Sequence, residues 1–215
     1  MVYQRTNPYD GSILATFDEH DDADLDEAVK HAVSGRMGNS GQTCTASKRF
    51  IVVESRADRF LDKFAQALGN FSAGDPLNAR TTLAPLSLER ALATLLEQVD
   101  RAVAAGARVI MGGARIDAAG AFMQPTILTD IDAANPAYKE EFFGPVALFF
   151  RVADDDAARR IDTGMMFINS AAVTSPELPF GGVKHSGCGR ELGRMGIQEF
   201  VNKKLVRSGD IAAPV

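Results

Sequence analysis

Arg49-Phe50-Ile51-Val52-Val53-Glu54, followed by apolar residues at Phe60, Leu61, Phe64 and Leu68, carries the signal that decides the fold. The first run is short, apolar and β-branched, which predicts a strand buried on both faces. The second repeats at helical spacing, which predicts an amphipathic helix. Outward from it the alternation continues. A helix is expected over Ser87 to Ala105, and strands over Arg108 to Met111 (closed by Gly112-Gly113), Thr126 to Leu128, Val146 to Val152 and Met165 to Ile168. Strands alternating with helices predict an α/β fold in three layers, a mainly parallel twisted sheet with helices on both faces.

Upstream, Asn7-Pro8-Tyr9-Asp10-Gly11 is a turn signal between the β-prone stretches Val2 to Thr6 and Ser12 to Phe17, so an N-terminal hairpin is expected. From Asp22 the stripe Leu25, Ala28, Val29, Ala32, Val33 predicts a helix, with acidic residues at the start where its dipole favours them. At the other end, Glu199 to Arg207 places Phe200, Val201, Leu205 and Val206 among lysines. That pattern reads as an edge strand whose charges discourage random pairing.

The 215 residues are 46% hydrophobic and 24% charged, enough apolar material for a core. A net charge of -5 with no run of Lys and Arg argues against nucleic-acid or anionic-membrane partners. No apolar stretch has the length of a membrane span and no secretory leader is legible, so the expected compartment is the cytoplasm.

Only two cysteines occur, Cys44 and Cys188, too few for a disulfide framework and without metal-ligand spacing to the three histidines. No metal is expected. Cys44 ends the polar, glycine-containing loop Asn39-Ser40-Gly41-Gln42-Thr43 just before the buried strand. Such a thiol can be reached by a substrate and stabilised by backbone N–H groups, as a nucleophile requires. The residue pattern fits a small buried hydrophobe equally well. Cys188, three residues after His185, reads as structural. The acidic cluster from Asp18 to Asp26 lacks the central glycine and terminal glutamate spacing of a calcium loop, and reads as a helix start. His31 reads as a surface residue.

Three ordered motifs decide between the readings of Cys44. Gly41-Gln42-Thr43-Cys44-Thr45-Ala46, followed by Arg49-Phe50-Ile51-Val52, resembles the active-site cysteine segment of the aldehyde dehydrogenase superfamily. Glu140-Glu141-Phe142-Phe143-Gly144-Pro145-Val146 is similar to its Glu-x-Phe-Gly-Pro-Val segment. Ile168-Asn169 with Pro179-Phe180-Gly181-Gly182-Val183-Lys184 and Ser186-Gly187 to Glu191 is similar to its C-terminal signature. The resemblance covers nearly the whole chain and leans toward the succinate-semialdehyde branch, including Met165 to Ser170. It implies that Cys44 adds to an aldehyde carbon to form a thiohemiacetal and then a thioester. Glu141 and Phe143 would approach the nicotinamide end of NAD or NADP, and Phe180 and Ser170 would line the substrate entrance. Residue by residue, Glu141 also reads as a solvated acid, and Phe143 and Phe180 as core packing. The implied organisation is an N-terminal ribbon (1–20), a catalytic domain (21–198) and a C-terminal strand (199–215). The ribbon and strand resemble arms through which the family forms dimers or tetramers.

The departures from the family are as informative. Between the ribbon and the helix before Cys44 the family carries a nucleotide-binding domain, whereas Asp18-Glu19-His20 here runs straight into Asp21-Asp22. That block holds the family's Glu-Leu-Gly-Gly segment with the general-base glutamate, the oxyanion asparagine and the dinucleotide loops. A second junction is expected near Ala158-Arg159. Both gaps fall on cofactor-domain sequence, which implies its excision. The chain is therefore expected to bind no dinucleotide and to act at most as a slow thiol esterase toward a small aldehyde or activated ester. The rival expectation is a non-catalytic folding and oligomerisation module.

Overall fold

The computed structural model describes residues 3–6, 10–17 and 22–208. Its first elements are β1 (Tyr3–Thr6) and β2 (Ile13–Phe17), paired antiparallel with Tyr3 opposite Phe17, so the expected hairpin forms. Of its turn, residues 7–9 lie outside the described part, as do residues 18–21 at the first expected junction. The Asp10 carboxylate accepts from the Ser12 N–H at 2.9 Å and its hydroxyl at 2.7 Å, a local bond that favours a turn over a longer strand. Next comes α1 (Asp22–Met37), which buries Val29 and Ala32 and packs Leu25, Ala28 and Val33 beside them.

β3 (Arg49–Val53) passes without a loop into α2 (Glu54–Gly69). Then follow α3 (Glu89–Ala104), β4 (Arg108–Met111), β5 (Thr126–Thr129) and β6 (Val146–Val152). The sheet order is β3-β6-β5-β4, with β6 parallel to both β3 and β5, and β4 antiparallel to β5. Alternation along β6 builds two cores. Ala147 and Phe149 face α1 and α2, meeting Phe60, Leu61, Phe64 and Leu68. Val146 and Leu148 face α3, meeting Leu92, Leu95 and Val99. Helices on both faces bury β5 and the first four residues of β6, which is why these runs are largely apolar, whereas β3, expected as a buried strand, lies at the sheet edge and is half-buried apart from Phe50. The Phe50 and Phe64 rings lie 4.9 Å apart between centroids, and each fully buried side chain of this size contributes about 1.5–3 kcal/mol.

Two sequence expectations are corrected. Met165 to Ile168 forms no strand. The Met165 carbonyl accepts from the Thr163 hydroxyl at 3.0 Å, and Asn169 turns left-handed at φ 51, so the run is neither free to pair nor extended at its end. Glu199 to Arg207 likewise forms no strand among the described residues. Its first residues close α5 (Gly193–Gln198), with the Glu199 and Phe200 N–H groups bonded to Gly196 and Ile197. A strand needs a neighbouring edge, and Phe200, Leu205 and Val206 instead stand 86%, 90% and 75% exposed.

The chain divides into two compact units, residues 1–161 with 167–172, and residues 162–166 with 173–215. The first contains the sheet and both cores. The second holds α5, a two-way backbone bridge between Phe180 and Glu191, and an ion pair between Lys184 and Asp162.

Candidate active site

Where α1 ends the backbone does something costly. Asn39 (φ 50), Ser40 (φ 53) and Gly41 (φ 76) are left-handed in succession, which reverses the chain tightly and delivers Gln42 to Ala46 as a turn in front of β3. Each non-glycine residue in that conformation costs about 1–2 kcal/mol, so the loop needs anchors. Ser40 is buried, and its hydroxyl donates to the Ala84 carbonyl at 2.9 Å. The Gln42 side-chain carbonyl accepts from the Ser87 N–H at 2.8 Å. Gly41 lies against Gly144, so closely that a Cβ at Gly41 would sit 2.1 Å from the Gly144 carbonyl oxygen. The cysteine segment and the Gly-Pro-Val segment are thus packed backbone to backbone.

Beneath this contact lies Arg36, fully buried. Its guanidinium donates to the Gly41 carbonyl at 2.7 Å and to the Val146 carbonyl at 3.3 Å, while Nε has no protein partner. Burial pushes it down to about 10, with the nearby Glu141 charge opposing the shift. It stays cationic at neutral pH. Two carbonyl dipoles and a neighbouring carboxylate are what stabilise that charge in place of water.

Cys44 stands exposed at the tip of the turn. The alternative of a small buried hydrophobe is therefore set aside by its position. Its N–H has no acceptor among the described residues, whereas its carbonyl accepts from Lys48 Nζ at 3.2 Å. The same ammonium donates to the Ala46 carbonyl at 3.1 Å and pairs with the Glu141 carboxylate at 2.9 Å. Lys48 so brings together two residues singled out in the sequence, Cys44 and Glu141. Gln98 holds Glu141 from the far side by donating to its carbonyl at 3.0 Å. Two residues on, Phe143 is 45% exposed while its neighbour Phe142 is completely buried, so core packing explains Phe142 and leaves Phe143 free for contact.

Ser170 is exposed on the segment 167–172, whose Ala172 N–H donates to the Ser47 hydroxyl at 3.4 Å, three residues beyond the thiol. Phe180 lies in the second unit, half-buried, its backbone exchanging bonds with Glu191 at 2.8 and 2.7 Å. Lys48 and Arg36 were not singled out by sequence reasoning. The available signal was a lysine four residues after a candidate nucleophile at the foot of an apolar strand, and an arginine in the last turn of the first helix.

Among the described residues no group of three His, Cys, Asp or Glu is placed to hold a metal ion, and no helix is long and apolar enough to cross a membrane.

Residues 20–159 and 155–206 match the sequence profile of the aldehyde dehydrogenase family, in two pieces that meet beside the second expected junction. The chain is 44% identical to a succinate-semialdehyde dehydrogenase [NADP(+)] of Deinococcus radiodurans, over 87% of this chain and 45% of that protein. It is 42% identical to a probable succinate-semialdehyde dehydrogenase [NADP(+)] of Synechocystis, over 86% and 47%. Among solved structures, succinic semialdehyde dehydrogenase of Streptococcus pyogenes, in complex with NADP+ as the cofactor, superposes with a TM-score of 0.77. It is 39% identical and covers 89% of this chain and 48% of that one. The chain spans about half the length of the curated relatives it matches. With a cysteine turn packed on a Gly-Pro-Val segment and a profile match over most of its length, the chain belongs to the aldehyde dehydrogenase family.

Proposed function

We propose that this chain is the cysteine-bearing catalytic half of an aldehyde dehydrogenase, with Cys44 as nucleophile and succinate semialdehyde as the whole enzyme's substrate. The observation that carries the reading is the exposed Cys44 thiol on an anchored turn whose N–H is free to donate. Attack forms a bond from Cys44 Sγ to the aldehyde carbon, and the carbonyl π pair moves to oxygen. That oxygen accepts from the Cys44 N–H and takes up a proton from solvent, to which the thiol has lost its own, giving a thiohemiacetal.

Oxidation of that adduct calls for a hydride acceptor, which the relatives' names give as NADP. The residues of this chain fit a dinucleotide poorly. The Glu141 carboxylate is taken by Lys48, and α2, α3 and α4 (Asp155–Arg159) each begin with acidic residues, which repel a phosphate. Calorimetric titration with NAD or NADP should show no micromolar binding. A micromolar Kd for either would mean that this half carries its own phosphate site.

An activated ester needs no hydride acceptor. With p-nitrophenyl acetate, a bond forms between Cys44 Sγ and the acetyl carbonyl carbon, the ester C–O bond breaks, nitrophenolate leaves and the thiol proton passes to solvent. Hydrolysis of the resulting thioester lacks a positioned base, since the resemblance places that glutamate in the block without a counterpart here. Such a loss slows a step about 10²–10⁴-fold. A burst of nitrophenolate followed by a very slow steady state is the expected trace, and a chain with no burst would overturn the assignment.

A second reading is favoured by the exposed apolar side chains Phe200, Val201, Leu205 and Val206, which association with another copy would cover. Light scattering should give a dimer or tetramer. The 23.0 kDa mass at every accessible concentration would contradict association.

A further inference from the structure

We infer that Lys48 is a positioning residue for the thiol, locking the turn that carries Cys44 to the segment that carries Glu141. The inference rests on the reading of Cys44 as nucleophile.

Lys48 is rooted in the sheet. Its own carbonyl accepts from the Leu148 N–H at 3.0 Å, so its backbone is the first rung joining the loop to β6 at the centre of the sheet. From that fixed base the side chain folds back, 15% exposed, over the turn it follows. The ammonium has three protons and three acceptors: the Cys44 carbonyl, the Ala46 carbonyl and the Glu141 carboxylate. Its donor capacity is filled. Glu141 is itself fixed, through its carbonyl, by Gln98 on α3. The neighbouring charges have other duties. Arg49 donates to the Tyr138 and Glu140 carbonyls, Arg101 pairs with Glu140, and Arg36 lies under Gly41. Lys48 is the cation that reaches the cysteine's own peptide.

What this fixes is a direction. The Cys44 carbonyl belongs to the peptide that follows the cysteine, and the Cys44 N–H to the peptide that precedes it. Gln42 anchors the preceding side of the turn and Lys48 the following side. Held at both ends, the turn can keep the Cys44 N–H aimed at a tetrahedral oxyanion above Sγ. Released at one end, it still exposes the thiol and no longer aims the donor.

Two reagents separate those properties. Iodoacetamide alkylates the thiol by displacement at carbon, with iodide leaving and no oxyanion formed. p-Nitrophenyl acetate passes through an oxyanion, and removing a donor to one costs about 10²–10³-fold, so misaiming one should cost at least about 10-fold. In the full chain, Lys48→Met should slow Cys44 acylation by that factor while alkylation changes by less than about 3-fold. Lys48→Arg, which keeps the charge and the donors, should recover most of the acylation rate. Glu141→Gln, which keeps an acceptor for the ammonium, should fall between the two. A purely structural role would depress both reactions together and would show in the thermal melt. Equal acylation by wild type and Lys48→Met overturns the inference. So does a parallel fall in alkylation and acylation. A wild-type chain that alkylates at Cys44 but never acylates would instead sink the reading of Cys44 as nucleophile, which keeps the two failures apart.

Discussion

Cys44→Ala is expected to abolish the nitrophenolate burst, from about one equivalent per chain to background, together with the mass label on its peptide. The basis is the contrast between two exposed cysteines. Cys44 sits on a turn anchored by Ser40, Gln42 and Lys48, with an unused N–H beside the thiol. Cys188 is equally exposed, in the second unit, and follows Gly187 at φ 113. Exposure alone would make the two thiols equivalent toward an ester, whereas a preorganised donor favours Cys44. Cys188→Ser should therefore leave burst and label intact. If Cys44→Ala bursts as strongly as wild type, the family's sequence survives here without its chemistry.

Gly41→Ala should unfold the loop or the domain. The left-handed φ of 76 costs an alanine about 1–2 kcal/mol, and its Cβ would meet the Gly144 carbonyl oxygen at 2.1 Å and carbon at 2.5 Å. Backbone atoms cannot rotate away, so one of the two segments has to move. Arg36 then loses its 2.7 Å bond to Gly41 and is left with the 3.3 Å bond to Val146 and the nearby Glu141 charge, a buried cation only partly compensated. Uncompensated buried charge typically costs about 3–5 kcal/mol, a large part of a domain's total stability. Urea denaturation should show a midpoint lowered accordingly, and any folded fraction should have lost the burst. Gly38→Ala is the control, because a Cβ there meets nothing within 4 Å. A Gly41→Ala protein as stable as that control would show that the two segments do not touch.

Much of this was legible from local pattern. β6 matched its expected bounds and α2 buried the four residues its spacing named, because the first four residues of β6 are covered on both faces and one face of α2 is buried while the other meets solvent, so their periodicity reflects that burial directly. The runs that misled, Met165 to Ile168 and Glu199 to Arg207, have the composition of strands. A strand is completed by a neighbour, and composition does not supply one. In the candidate site, Cys44 and Glu141 could be singled out because ordered motifs carry them. Lys48 and Arg36 were not, since their meaning depends on Glu141 and Val146 being brought across more than ninety positions of chain. A lysine before a strand looks like any solvated lysine until the fold places a carboxylate against it.

The left-handed pair Asn39 and Ser40 also limits what laboratory evolution could do with this protein. Asparagine visits that conformation more easily than most side chains, while serine is there for its hydroxyl bond to Ala84. A library randomised at both positions should return a narrow vocabulary. Glycine at 40 would relax the backbone and forfeit the anchor; threonine would keep the hydroxyl and add a methyl that a left-handed residue resists. The Val, Ile and Leu exchanges that a neutral drift accepts readily elsewhere are closed here. The loop is then a place where descendants of this sequence should stay alike even after the surfaces around it have diverged.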